Sequence, residues 1–296
     1  MAATPRSVRI ALLQHTSPEG TPREAILEKV ERMAREAAAK GATIIATQEL
    51  FAGHYFCQVE DAALMDLAEP IPGPTSDRLC KLAASLKVDL TASLFERRAP
   101  GLYHNTSIWI DPTGAIAGKY RKMHIPDDPR FFEKFYFTPG DLGWQAVRTR
   151  SATCGMLVCW DQWYPEAARL TAMRGAEIIF YPTAIGWYHG ETPADAAQQR
   201  DAWVTMHRAH AIANGCWIVA INRVGTERDL KFWGTSIVID PGGTIVAQGS
   251  EAKEEVIIAD CDLTKIEELR RGWPFFRDRR IDAYGPITQR FTDSGS

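Results

Sequence analysis

Cys159 stands where a short apolar run, Thr153 to Val158, gives way to Pro165-Glu-Ala-Ala-Arg, a stretch that opens a helix with proline at its first position. A thiol at such a strand-to-helix turn lies beside the unpaired amides and positive end of the following helix. Those groups favour thiolate over thiol and offer donors to a developing oxyanion, so the position predicts a nucleophile. Packing is the commoner fate of a cysteine. Cys154, an odd number of residues earlier on the same run, is expected to face the other way and to pack.

A thiolate attacking a carbonyl needs a proton acceptor, a stabiliser for the oxyanion and, later, an activated water. Glu49 follows the run Thr43 to Thr47 and so falls at the C-terminal end of a strand, the edge where open α/β sheets build sites; a solvated loop carboxylate is its plainer reading. Lys122 sits in a crowded basic stretch with Lys119, Arg121 and His124, which reads equally as a solvated face. Glu133 lies among Phe131, Phe132, Phe135, Tyr136 and Phe137; desolvation there would raise its pKa and suit proton transfer, while an ion pair with Arg130 or Lys134 is the alternative. His124 is a competing base, because a cysteine-histidine pair need only meet in space. His207 and His210 share a helix face, but no third metal ligand accompanies them, so polar helix packing is the expectation and no metal or cofactor is called for.

Length and composition set the frame for these groups. The chain is 45% hydrophobic and 24% charged, enough for a large core, and its formal charge of -3 disfavours a nucleic-acid partner. Six cysteines without a Cys-x-x-Cys pair indicate reduced thiols, and the opening run Val8 to Leu13 is too short for a signal sequence or membrane span, so a cytoplasmic protein is expected.

The pattern of elements repeats. A strand from Val8, a helix announced by a capping box at Thr21-Pro22-Arg23-Glu24 and stopped at Gly41, a strand at 43–47, a helix over 75–86 and a strand from Val88 lead to the hairpin Asn105 to Tyr120 with its Asp-Pro-Thr-Gly turn. The second half runs from the Cys159 strand through a helix at 165–174, a strand at 177–181, a long helix over 196–213 and a strand at 216–221. It ends in a near copy of the hairpin, Gly234 to Gln248. Two β-α-β-α-β-hairpin halves without a disordered linker imply one domain, residues 1–296, of two sheets packed face to face with helices outside. The aromatic stretch Leu269 to Ile281, within a C-terminal extension over about 265–296, is expected to cover a subunit surface, with Thr292 to Ser296 as a free tail.

Taken together, the segments around Glu49, Lys122, Glu133 and Cys159 resemble the nitrilase superfamily of carbon-nitrogen hydrolases over nearly the whole chain. The resemblance implies a four-layer α-β-β-α sandwich and a cysteine amidohydrolase. In it Glu49 is the general base, Lys122 the cation that stabilises the tetrahedral intermediate, Cys159 the acylated nucleophile and Glu133 a second glutamate that positions water and substrate. It also implies homo-oligomers.

Within the superfamily, the segments Cys159 to Arg169, Phe180 to Ala184 and Arg271 to Arg280 are most similar to amidohydrolases of carbamoylated diamines. Relatives that act on N-carbamoyl amino acids carry arginines just after the cysteine, where this chain has Gln162 and Trp163. A small cationic carbamoyl substrate is therefore expected. Tyr55, His124, Trp160, Trp163 and Trp187 are candidate wall residues for an alkylammonium chain, and Glu191 or Asp195 is the candidate receiver of its distal amine. Amidases of other small amides, N-carbamoyl amines or amino acids, and a catalytically silent assembly module of the same fold, are the competing readings.

Overall fold

A computed structural model describes residues 6–292; the expectations about the first five residues and about the tail after Thr292 lie outside it. In the first half, β1 (Ser7–Gln14), α1 (Arg23–Ala39), β2 (Ile44–Thr47), α2 (Pro74–Leu86) and β3 (Asp89–Ala99) precede the hairpin β4 (Leu102–Ile110) and β5 (Ile116–Arg121). A one-turn helix, α3 (Glu133–Tyr136), and β6 (Gln145–Arg148) lead into the second half. There β7 (Thr153–Met156), α4 (Pro165–Met173), β8 (Ile178–Pro182), β9 (Gly186–Tyr188), α5 (Pro193–Asn214) and β10 (Trp217–Ile221) follow in order. The chain closes with β11 (Val224–Glu227), β12 (Leu230–Trp233), β13 (Ile237–Ile239), β14 (Ile245–Gln248), β15 (Glu255–Asp262) and α6 (Thr264–Gly272).

Two six-stranded sheets result, ordered β15-β1-β2-β3-β4-β5 and β14-β13-β10-β8-β7-β6. Each has a parallel centre, since β1, β2 and β3 run together as do β7, β8 and β10, and each parallel centre is flanked by antiparallel neighbours. β15 beside β1 and β6 beside β7 occupy matching places, so the repeat extends one strand further than the sequence pattern implied. The facing residues Ile10, Leu12, Ile44 and Trp109 from one sheet and Phe180 and Val219 from the other fill a single core, while Val30, Ala34, Leu79 and Leu82 of α1 and α2 pack outside the first sheet. This is the four-layer α-β-β-α sandwich expected above.

The two hairpins share a cause as well as a sequence. Asp111 and Asp240 each accept main-chain N–H groups two and four residues on, closing the turn, and Gly114 and Gly243 both take φ of +86°, the left-handed region that favours glycine.

Local corrections are small. Pro22 occupies the N-cap of α1 and no side chain caps the helix, so the capping box read at Thr21 does not form. α5 starts at Pro193 rather than 196, because the Thr192 hydroxyl accepts from the Asp195 N–H and proline takes the first helical position. β7 ends at Met156, three residues before Cys159, so strand alternation does not relate Cys154 to Cys159; Cys154 is buried in the core.

Candidate active site

Two backbone elbows hold the chemistry. At the end of β2 the chain turns through Glu49 into Leu50, which has φ of +46°; past β7 it turns at Cys159, which has φ of +40°. Non-glycine residues held there cost on the order of 1–3 kcal/mol each and persist only where the surroundings over-determine them. Those surroundings come from the opposite halves of the chain. Arg223, wholly buried after β10, donates to the carbonyls of Glu49 and Leu50 at 3.1 and 2.9 Å and pairs with Glu227 at 2.7 Å. Asp161, in the 3-10 turn that begins at Cys159, accepts the Val158 N–H at 3.0 Å, the Tyr120 hydroxyl at 2.8 Å and the His124 main-chain N–H at 3.2 Å, and its Oδ1 lies 2.7 Å from His124 Nδ1.

Between the elbows lies an ion trio. Lys122 Nζ, on the segment after β5, donates to Glu49 Oε1 at 2.8 Å and to Glu133 Oε2 at 2.6 Å, and all three side chains are buried. Asn105 of β4 also donates to Glu49 Oε1 at 2.7 Å, and the Tyr55 hydroxyl donates to Glu133 Oε1 at 2.7 Å. The other Glu49 oxygen, Oε2, is buried with no partner among the described residues, which leaves it open to take a proton. The rest of the basic stretch is neutralised separately, Lys119 and Arg121 by Glu96 and Arg121 again by Asp141. Arg130 pairs with Asp229 and not with Glu133.

Burial alone would lower the Lys122 pKa, but Glu133 and Glu49 outweigh it and hold the ammonium well above its usual range. Burial raises Glu133 to about 7, with Lys122 opposing and Glu49 adding to the rise. For Cys159 the result reverses the sequence expectation. Burial first, then Glu49 and Glu133, push the thiol well above its ordinary value, against the lowering effects of Lys122 and the Ala184 N–H. A 3-10 turn separates the sulfur from the N-terminus of α4, so no long helix end acts on it directly. The shift favours the neutral thiol over the thiolate.

Cys159 and Glu133 open onto a cavity of about 480 Å³ whose wall includes Trp160, Trp163, Tyr188 and Glu191. Trp160 and Glu191, two of the residues singled out from the sequence, are therefore on that wall. Tyr55 touches the site through Glu133. Trp187 stands behind the wall, its indole N–H on the Ala196 carbonyl and its ring beside Arg200 and Lys231. His124 is stacked on Tyr164 with centroids 3.6 Å apart and engaged with Asp161, and it is not among the cavity-lining residues. Asp195 is exposed and bonded to Thr192 at the start of α5. His207 and His210 bond to Gln162, and no cluster of three or more metal-ligating side chains occurs among the described residues.

Sequence reasoning missed Asn105, Asp161, Arg223 and Gln162. The local signal for Asp161, Arg223 and Gln162 was a position beside a strand end or elbow, and Asn105, inside β4, had none; their site partners Glu49, Leu50, His124 and Trp203 lie 37 to 174 residues away.

The raised Glu133 pKa fixes a pH dependence of stability. Between the ordinary carboxylate value of 4.5 and about 7 the folded chain holds a proton at Glu133 that the unfolded chain has released, so stability from this group falls as pH rises through that window. The unfolding free energy of the wild type should therefore drop relative to Glu133→Gln by about 1–3 kcal/mol between about pH 5 and pH 8. Urea unfolding of both proteins at the two pH values measures it, and a constant difference contradicts the assignment.

Comparison with known proteins gives this arrangement a family. The model of the carbon-nitrogen hydrolase family matches residues 9–271. The tomato (Solanum lycopersicum) N-carbamoylputrescine amidase is 42% identical over 293 residues, covering 96% of each chain, and a citrullinase of Francisella tularensis is 37% identical over 270 residues, covering 90% of this chain and 93% of that one. The crystal structure of a carbon-nitrogen hydrolase from Helicobacter pylori superposes with a TM-score of 0.93 at 43% identity, covering 97% of this chain and all of that one. No helix among the described residues is long and apolar enough to cross a membrane. The chain belongs to the carbon-nitrogen hydrolases of the nitrilase superfamily and, like its relatives, is built to hydrolyse an amide-type bond.

Proposed function

We propose that this enzyme hydrolyses N-carbamoylputrescine to putrescine, carbon dioxide and ammonia through an acyl intermediate on Cys159. The observation that carries the substrate class is the charge of the cavity. Among the described residues, Asp128, Glu133 and Glu191 line it and no lysine or arginine does, Lys122 being paired to Glu133. Away from that pair a substrate carboxylate would meet like charge, whereas a primary ammonium finds acid and the faces of Trp160, Trp163 and Tyr188. Glu191 Oε2 is buried with no partner among the described residues, the state expected of a carboxylate that waits for a ligand donor. It is the better receiver of the distal amine than Asp195, whose carboxylate is occupied by Thr192. N-carbamoylputrescine amidases from four plants, 42–45% identical to this chain, support the same reading.

In the proposed reaction Glu49 takes the Cys159 proton on its unpartnered oxygen as sulfur attacks the carbamoyl carbon, and the Lys122 ammonium offsets the negative charge that develops on oxygen. Glu49 returns the proton to the terminal nitrogen, the C–N bond breaks and ammonia departs, leaving an alkylcarbamoyl thioester while Glu191 keeps the amine end in place. Water then gives a proton to Glu49 and attacks the thioester, the C–S bond breaks, and sulfur regains its proton. The released carbamic acid falls apart into putrescine and carbon dioxide. Glu133, paired to Lys122 and Tyr55, orients the ammonium and the water.

The wider reading of the chain follows. The core shared by both sheets supports a single domain, and six unpaired cysteines suit the reducing cytoplasm. Trp273, Phe275, Ile281, Tyr284, Ile287 and Phe291 are all more than 40% exposed, an apolar face that supports a homo-oligomer closed by the C-terminal segment.

Steady-state kinetics test the substrate. N-carbamoylputrescine should be turned over with a kcat/KM at least about 100-fold above that for citrulline or another N-carbamoyl amino acid, and Glu191→Gln should raise its KM roughly tenfold or more with kcat little changed. Equal rates on both classes would overturn the cationic-substrate reading. For assembly, light scattering should give a mass that is a multiple of 33.0 kDa, reduced by the double change Trp273→Ser and Phe275→Ser; a monomeric wild type refutes the interface.

A further inference from the structure

Gln162 lies three residues past Cys159 in the same 3-10 turn and is wholly buried. Three donors from one face of α5 converge on it. Its side-chain oxygen accepts Trp203 Nε1 at 2.8 Å and lies 3.2 Å from His207 Nε2, and its main-chain carbonyl lies 2.7 Å from His210 Nε2. An indole nitrogen only donates, so the amide must turn its oxygen toward α5. That choice requires His207 to carry its proton on Nε2, and a carbonyl partner requires the same of His210. Burial lowers the pKa of both rings, which favours their neutral form. Among the described residues His207 Nδ1 is buried and unpartnered, and the ring's hydrogen bond is the one to Gln162.

The same helix also builds the substrate cavity. Gln198, Gln199 and Ala202 of its first turns line the wall with Glu191, which sits just ahead of the helix, and Trp203 follows directly. One rigid element therefore touches both the space that holds the substrate and the turn that aims the nucleophile.

We propose that Trp203, His207 and His210 are positioning residues: by holding Gln162 they fix the Cys159 elbow, and so the approach of sulfur to a substrate seated against α5. The proposal deepens the hydrolase reading above and rests on Cys159 as its nucleophile. A side chain whose backbone occupies the left-handed region has neighbouring conformations available, and loss of one anchor shifts the sulfur without opening the core.

The test separates alignment from binding and from folding. His207→Leu removes the donor at similar size; His207→Gln keeps an N–H within reach. His207→Leu and His210→Leu should lower kcat about 10- to 100-fold with KM within about twofold of wild type. Both should slow alkylation of Cys159 by iodoacetamide, a readout that does not depend on which substrate is natural, and His207→Gln should recover most of both losses. A folded His207→Leu protein with unchanged kcat and alkylation rate overturns the proposal, as does an equal loss in the Leu and Gln variants or a loss confined to KM. Should the leucine variants fail to fold, Trp203→Phe deletes one N–H and keeps an aromatic ring, and unchanged kcat and alkylation there overturn the proposal equally. Retained turnover in Cys159→Ser would instead remove the nucleophile assignment itself.

Discussion

The Lys122 ammonium, buried without solvent between Glu49 and Glu133, is the interaction on which the rest of the site depends. Removing three charged groups from water is costly, and a buried trio survives only if geometry is good and the remaining hydrogen-bond capacity is met. Asn105 and Tyr55 supply that support, one from β4 and one from the loop after Glu49. A single cation also leaves the trio one positive charge against two negative. Burial raises Glu133 toward neutrality against the opposing pull of Lys122, and burial together with the two glutamates presses on the Cys159 thiol.

The division of labour between the halves follows from the sandwich. The first half brings Glu49 and Lys122 to one edge, the second brings Cys159 to the facing edge, and each elbow is clamped from across the sheets, by Arg223 on one side and by Tyr120 and His124 through Asp161 on the other. Packing the two sheets on one core therefore does more than stabilise the fold. It fixes the relative position of Glu49 and Cys159, the proposed base and nucleophile. Strain at both elbows is tolerable because main-chain carbonyls and N–H groups that would be orphaned are taken up by buried side chains.

Much of this was legible in the residues. The two hairpins announced themselves by Asp-Pro-Thr-Gly and Asp-Pro-Gly-Gly, whose aspartates and glycines do the same physical work in each copy. Glu49 and Cys159 were recognisable by their place at strand ends, and the crowd of phenylalanines around Glu133 foretold its desolvation. The acidity of Cys159 was misread, because local position suggested a helix end while burial and the two glutamates, brought by segments far away in sequence, raise its pKa. Asp161, Asn105 and Gln162 look like ordinary loop or strand polar residues until their partners are in view. The capping box at Thr21 failed for a local reason, since Pro22 takes the N-cap position.

The proposed nucleophile Cys159, its thiol pKa raised beside a buried ion trio, should carry its proton at rest. Ultraviolet thiolate absorbance, compared between the wild type and Cys159→Ser, reads its charge without substrate. The account predicts no difference between the two proteins from about pH 7 to pH 9, because burial and the paired carboxylates hold the proton on sulfur. A thiolate signal at Cys159 already present at neutral pH would contradict it.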